Sequence, residues 1–139
     1  MKTKSIAKTI VLNPAGQVLL MRRSRTDDRR PGEWDFPGGG VDGQEDFAAA
    51  AARELSEEAG IVGEPAELKL VYTATEPWEP TDESINRFLF ALHVPADTAV
   101  TLSFEHDEYK WIDVDTALQD FPHTFYGKGL AYARDHGLI

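Results

Sequence analysis

Apolar and polar positions change rhythm along this chain, and the changes mark its elements. Residues 5–12, SIAKTIVL, form a short apolar run rich in β-branched side chains, which predicts a strand. Asn13-Pro14-Ala15-Gly16 is a turn signal, and residues 17–22, QVLLMR, follow as the hairpin partner. Residues 23–33 are polar and end in Pro31-Gly32, so they read as a loop. Residues 46–59 give the clearest helix. Asp46 offers a carboxylate at its start, an alanine run supplies high helix propensity, and Gly60 stops it. Residues 67–75 alternate like a strand. A loop containing Pro77, Pro80, Asp82 and Glu83 follows, then a long strand over 85–94, INRFLFALHV. A short strand at 109–113 precedes helices at 114–120 and 126–135, the last ended by Gly137. Phe88, Phe90 and Trp111 fall at core positions. A hairpin, a helix, further strands and terminal helices in that order predict α+β or α/β/α packing in one domain over residues 1–139.

Composition narrows the function more than the fold. The 139 residues carry a net charge of −10 and no cysteine. The charge disfavours a long nucleic-acid partner, whose binders present a basic face. It does not disfavour a small phosphorylated substrate, since local cations override the global field. Disulfides and thiolate metal sites are excluded. No apolar run has the length of a membrane span, and Met1-Lys2-Thr3-Lys4 is not followed by an apolar signal stretch. The expectation is a cytoplasmic protein without a membrane partner, a monomer or homodimer.

The chemistry is concentrated between Gly39 and Ile61, GGVDGQEDFAAAAARELSEEAGI. Glu54, Glu57 and Glu58 are three and four residues apart, so on a helix they share a face. Carboxylates that close repel one another unless a cation lies among them. Mg²⁺ suits such a set because it is a hard cation with oxygen ligands, and Mn²⁺ is a substitute. Gly38-Gly39-Gly40 permits unusual backbone geometry just ahead of the helix.

Gly39, Glu45, Arg53, Glu54, Leu55, Glu57, Glu58, Gly60 and Ile61 fill every specified position of the Nudix box, so the chain resembles the Nudix hydrolases. Seven of those positions demand one residue type, and a chance match at a given start is on the order of one in a billion. Trp34-Asp35-Phe36-Pro37-Gly38 is similar to the usual lead-in. The resemblance implies an α/β/α sandwich around a mixed sheet and Mg²⁺-dependent cleavage of a diphosphate linkage. The substrate class implied is a nucleoside triphosphate or related nucleoside diphosphate derivative. A dinucleoside polyphosphate or ADP-ribose-type substrate is the alternative, the former suggested by Glu105 to Trp111 and the latter by Pro77. A non-catalytic nucleotide sensor is the alternative of another class, and such domains usually lose box glutamates.

Within the resemblance, Glu54, Glu57 and Glu58 hold the metal, the carbonyl of Gly38 adds a ligand, and Arg53 orients a glutamate. Glu105 resembles a position used as a further ligand or general base, with Glu83 and Glu108 as rivals. Glu45 anchors loop to helix. Arg22, Arg23, Arg25, Arg29 and Arg30 cluster ahead of the glycines. Arg23 and Arg25 are candidates for phosphate contact, since the arginine fork suits phosphate. Gly39 is a candidate for substrate contact, and Trp78 and Phe125 are candidates for stacking a base, with Phe104 and Tyr126 behind them. His106 is a weaker phosphate candidate. His93, His123 and His136 have no ligand spacing.

Overall fold

A computed structural model describes residues 2–26, 30–78, 82–121 and 124–139, with the side chains of residues 78 and 124 outside the description. Arg29, Pro80 and His123 therefore lie outside the described residues, as does the Trp78 side chain. The strands are β1 (Lys2–Leu12), β2 (Gln17–Arg23), β3 (Trp34–Asp35), β4 (Gly38–Gly40), β5 (Lys69–Trp78), β6 (Glu83–His93) and β7 (His106–Asp113). The helices are α1 (Phe47–Ala59), α2 (Val114–Asp120) and α3 (Thr124–Asp135). Among the described residues no helix is long and apolar enough to cross a membrane.

The strands form one mixed sheet in the order β3-β2-β1-β6-β5, with β4 on β1 and β7 on β2. β1 and β6 pair in parallel from Lys2↔Glu83 to Leu12↔His93. That pairing explains why both strands run longer than their apolar patterns suggest. Backbone hydrogen bonds to a neighbour hold Lys2, Thr3 and Lys4 extended despite their polarity. β1 meets β2 antiparallel at Leu12↔Val18, beyond the turn, and β2 then pairs with β7. β5 is the edge of the sheet and runs through Pro77, where a missing N–H is tolerated. The loop expected to contain Pro77 and Glu83 is thus shorter than the sequence suggests, since Glu83 opens β6.

Alternation along each strand sends side chains to two cores. Ala7, Val11, Leu19, Met21, Phe90 and Leu92 pack with α1 residues Ala51, Leu55 and Ala59. Ile10, Leu12, Val18, Leu20 and Leu89 pack on the other face with Phe36 and with Ala117, Tyr126 and Leu130 of α2 and α3. The result is the helix–sheet–helix layering that the pattern predicts. α1 matches its expected span within a residue. Asp46 precedes it in extended backbone but makes no side-chain capping bond, whereas Gly60 closes it at φ 68° with its N–H on the Ser56 carbonyl.

Candidate active site

α1 presents its three glutamates in different surroundings. Glu57 is exposed, Glu54 is half-buried, and Glu58 is only 6% exposed, so its carboxylate must be satisfied from within. The backbone supplies one donor, because the Gly38 N–H binds Glu58 Oε1 at 2.7 Å. Burial nonetheless pushes the Glu58 carboxyl up to about 8. Lys8 and the Gly38 amide pull the other way, while Glu54 and Glu105 add repulsion. Glu54 is likewise raised, chiefly by burial, with Arg53 opposing and Glu57 and Glu105 reinforcing. Glu105 thus acts on both buried carboxylates, although it enters from the loop before β7 rather than from α1. Ser24 holds that loop: its N–H donates to the Glu105 carbonyl at 2.8 Å and its Oγ to the Phe104 carbonyl at 2.8 Å.

The glycines are required by distance as well as by conformation. Gly38 has φ 147°, and a Cβ there would lie 2.3 Å from the Ala7 carbonyl oxygen. At Gly39 a Cβ would come within 2.9 Å of the Glu54 carboxylate. These residues form β4 rather than a free turn, pairing Lys8↔Gly38, Ala7↔Gly39 and Ile6↔Gly40. Pairing with β1 fixes the Gly38 amide at Glu58.

Arg53 gathers the acidic groups. Its Nε and Nη2 donate to Glu45 at 2.9 and 3.1 Å, Nη2 also to the Gly40 carbonyl, and Nη1 to Glu54 and Glu57 at 3.2 and 3.3 Å. The bond to Glu45 leads the effects that raise the Arg53 pKa, and it lowers that of Glu45. Glu45 therefore anchors the loop to the helix through Arg53.

The donor set suits a hard divalent cation. Three glutamates stand on one helix, Glu58 is buried with the Gly38 N–H on one of its oxygens, and the Gly38 carbonyl belongs to the same residue. Among the described residues, however, no three Asp, Glu or His side chains are already gathered into a ligand set. Arg53 spans Glu54 and Glu57, and Lys8 Nζ lies 3.4 Å from the Gly38 carbonyl. A cation would have to draw the carboxylates inward from these partners.

The remaining candidates separate. Glu108 is taken up by Arg22 at 3.0 Å, and Glu83 stands at the start of β6 opposite Lys2 and Trp78. Neither appears among the charges acting on Glu54 or Glu58. Arg23 lies 3.8 Å from Asp35, and Arg25 is exposed in the loop after β2. Phe125 is a correction. α3 begins at Thr124, earlier than the pattern indicates, and Phe125 turns into the second core, 6% exposed and packed on Tyr72 and Tyr126. It has no open face for a base. Tyr126 is wholly buried beside it, and Phe104 is 87% exposed. His106 is buried, His93 is exposed, and His136 stacks on Tyr132.

A buried charge cluster centred on Lys8, a residue the sequence pattern does not mark as a site residue, backs the site. Lys8 Nζ donates to Asp35 at 2.9 Å and lies 3.4 Å from the Phe36 carbonyl. Arg30 reaches the same Asp35 oxygen at 3.2 Å. Burial is the largest single effect on each and opposes the charge, but Asp35, Tyr126 and Glu58 together raise Lys8, and Lys8, Arg30 and Arg23 together lower Asp35, so each stays ionised beyond its ordinary range. A lysine inside the apolar run IAKTIVL was the available signal.

The NUDIX domain family model matches residues 2–131. The chain is 33% identical over 109 residues to the CTP pyrophosphohydrolase of Escherichia coli (strain K12), covering 78% of this chain and 76% of that protein. It is 38% identical over 124 residues to an octanoyltransferase of Myxococcus xanthus; 88% of this chain is covered, but it spans only 33% of that relative. The crystal structure of a MutT protein from Methanosarcina mazei Go1 superposes with a TM-score of 0.79 at 26% identity, covering 97% of this chain and 96% of that one.

Proposed function

The chain belongs to the NUDIX family, and on that premise we propose that it hydrolyses a diphosphate linkage in a nucleoside triphosphate or related nucleoside diphosphate derivative, using Mg²⁺. The observation that carries this is the buried Glu58 carboxylate, crowded by Glu54 and Glu105 beside the Gly38 backbone. The name of the Escherichia coli relative supports the triphosphate class.

Glu54, Glu57 and Glu58 would hold the cation together with the Gly38 carbonyl. When bound, the cation neutralises phosphate oxygens and polarises the attacked phosphorus, and Mn²⁺ would substitute. The chain's own residues do the rest. Arg53 keeps Glu54 and Glu57 on one side of the loop and ties both to Glu45. Gly39 leaves room for Glu54 where any side chain would collide with it. Glu105, from the loop before β7, would either complete the cation's ligands or take a proton from the attacking water. Arg23 and Arg25 are proposed phosphate contacts, and Trp78 remains a proposed stacking residue.

The test is a panel of nucleoside triphosphates, dinucleoside polyphosphates and nucleotide sugars incubated with Mg²⁺ at mildly alkaline pH, with products resolved. Turnover of at least one triphosphate, abolished by chelator and restored by Mg²⁺ or Mn²⁺, is expected. Tight binding without product across the whole panel would favour a nucleotide sensor.

A further inference from the structure

A second charged group lies on the sheet face that carries α3, outside the carboxylate site. Arg87 interrupts the apolar run of β6 and stands beside Ile6 in the parallel register. It is 9% exposed. Its Nε donates to Glu76 on β5 and its Nη1 to the Tyr126 hydroxyl at 3.1 Å. Its guanidinium carbon lies 5.9 Å from the Phe125 ring centre and 5.7 Å from that of Tyr126.

A guanidinium has five N–H donors in one plane. Two are engaged here. Among the described residues, the two on Nη2 and the second on Nη1 have no acceptor. No Arg87 nitrogen is among the buried side-chain atoms left without a partner, so this edge is open rather than shut in, and the pair with Glu76 uses only one edge of the fork. Glu76 and Tyr126 lock the plane, so the free edge is preorganised for a planar acceptor. Glu76 also neutralises the charge. A phosphate here would add a second anion beside Glu76, whereas a neutral acceptor pair would not.

The position is within a nucleotide's length of the carboxylates. Lys8 lies 5.6 Å from the Tyr126 ring centre and 3.4 Å from the Gly38 carbonyl, whose residue binds Glu58. Lys8 is two residues along β1 from Ile6, so its Cα is about 8 Å from that of Arg87 by strand geometry.

We propose that Arg87 is a specificity-determining residue that reads the nucleobase, donating two parallel hydrogen bonds to an edge with two adjacent acceptors. This rests on the nucleotide-hydrolase reading above. Cytosine carries such an edge in O2 and N3, and guanine in O6 and N7. Adenine and uracil set an N–H beside their edge acceptors instead. The arginine fork suits the paired edge and leaves the mixed one half satisfied.

Binding of CMP, GMP, AMP and UMP measured by calorimetry tests this without requiring catalysis. Wild type is expected to bind CMP or GMP at least tenfold more tightly than AMP and UMP. Arg87→Met, and Arg87→Lys as the variant that keeps the charge, are expected to bring all four within about threefold. Preference for CMP alone assigns the cytosine edge, and for GMP alone the guanine edge. In Mg²⁺-dependent hydrolysis of the four triphosphates, the same variants are expected to raise KM for the favoured base with little change in kcat. Equal binding of all four by wild type, or a preference that survives in either folded variant, overturns the proposal. Loss of preference in the variants with no hydrolysis of any nucleotide by wild type would leave it standing and sink the hydrolase reading. Hydrolysis without base preference would do the reverse.

Discussion

Glu57 and Glu58 are neighbours on one helix, yet water solvates the first and the protein interior surrounds the second. The consequence is a pH dependence with a definite sign. In the unfolded, cation-free chain Glu58 loses its proton near the ordinary glutamate value of 4.5, whereas in the folded protein it keeps the proton to about 8. Between those values the folded state holds the extra proton, so its stability contribution is full below 4.5 and is lost as pH rises through 8. Chelator-treated protein should melt at progressively lower temperature from pH 5 to 8, and Glu58→Gln should flatten that slope. A cation that binds the ionised form should reverse it, stabilising most at the alkaline end; an unchanged slope in Glu58→Gln would assign the effect elsewhere. Glu105 makes a second residue-scale prediction. Glu105→Gln should lose more turnover than Glu83→Gln or Glu108→Gln, since of these three Glu105 is the one among the charges that raise Glu54 and Glu58. A base role would remove the acidic limb of the pH–rate profile, and a ligand role would raise the Mg²⁺ requirement. A crippled Glu83→Gln beside an unaffected Glu105→Gln would move the role to β6. The helix-face carboxylates were legible in sequence because spacing alone fixes which side of a helix they share. Lys8 and Asp35 were not, because their bond joins residues 27 apart through strand pairing that no local pattern encodes.

Among the elements, β4 sets the geometry of the site. Three consecutive glycines read as a flexible turn, but their backbone is pinned to Ile6, Ala7 and Lys8. Gly38 takes a conformation that L-residues avoid, and its missing side chain makes room for the Ala7 carbonyl. Gly38→Ala should therefore destabilise the protein by about 1–3 kcal/mol from backbone strain alone and abolish turnover by moving the amide away from Glu58. Gly40→Ala meets open space and should stay within about 0.5 kcal/mol. Urea unfolding midpoints of the two variants check the contrast, and equal midpoints would contradict it. α3 shows where element boundaries defeat the sequence. Beginning the helix at Thr124 rather than two residues later carries Phe125 into the core. Its composition suits a core or a stacking surface equally, so only the packing decides.

For the whole molecule, two cores on opposite faces of one sheet place α1 and the loop before β7 around the same carboxylates. Layering and fold class were readable from the order of elements. The parallel pairing of β1 with β6 was not, since it joins strands separated by four other strands and α1 and shows in neither strand's own pattern. Nor does the net charge of −10 reveal that basic groups line the back of the site at Lys8, Arg23 and Arg30. The central claim is that the acidic face of α1 holds the cation that makes this fold a hydrolase. Its most direct test is steady-state hydrolysis of the best triphosphate substrate in saturating Mg²⁺ by wild type, Glu57→Gln and Glu58→Gln, with folding of each verified by circular dichroism. The account predicts at least a hundredfold loss in kcat/KM for both variants, about 3 kcal/mol of barrier. Near-normal turnover by both folded variants would contradict it.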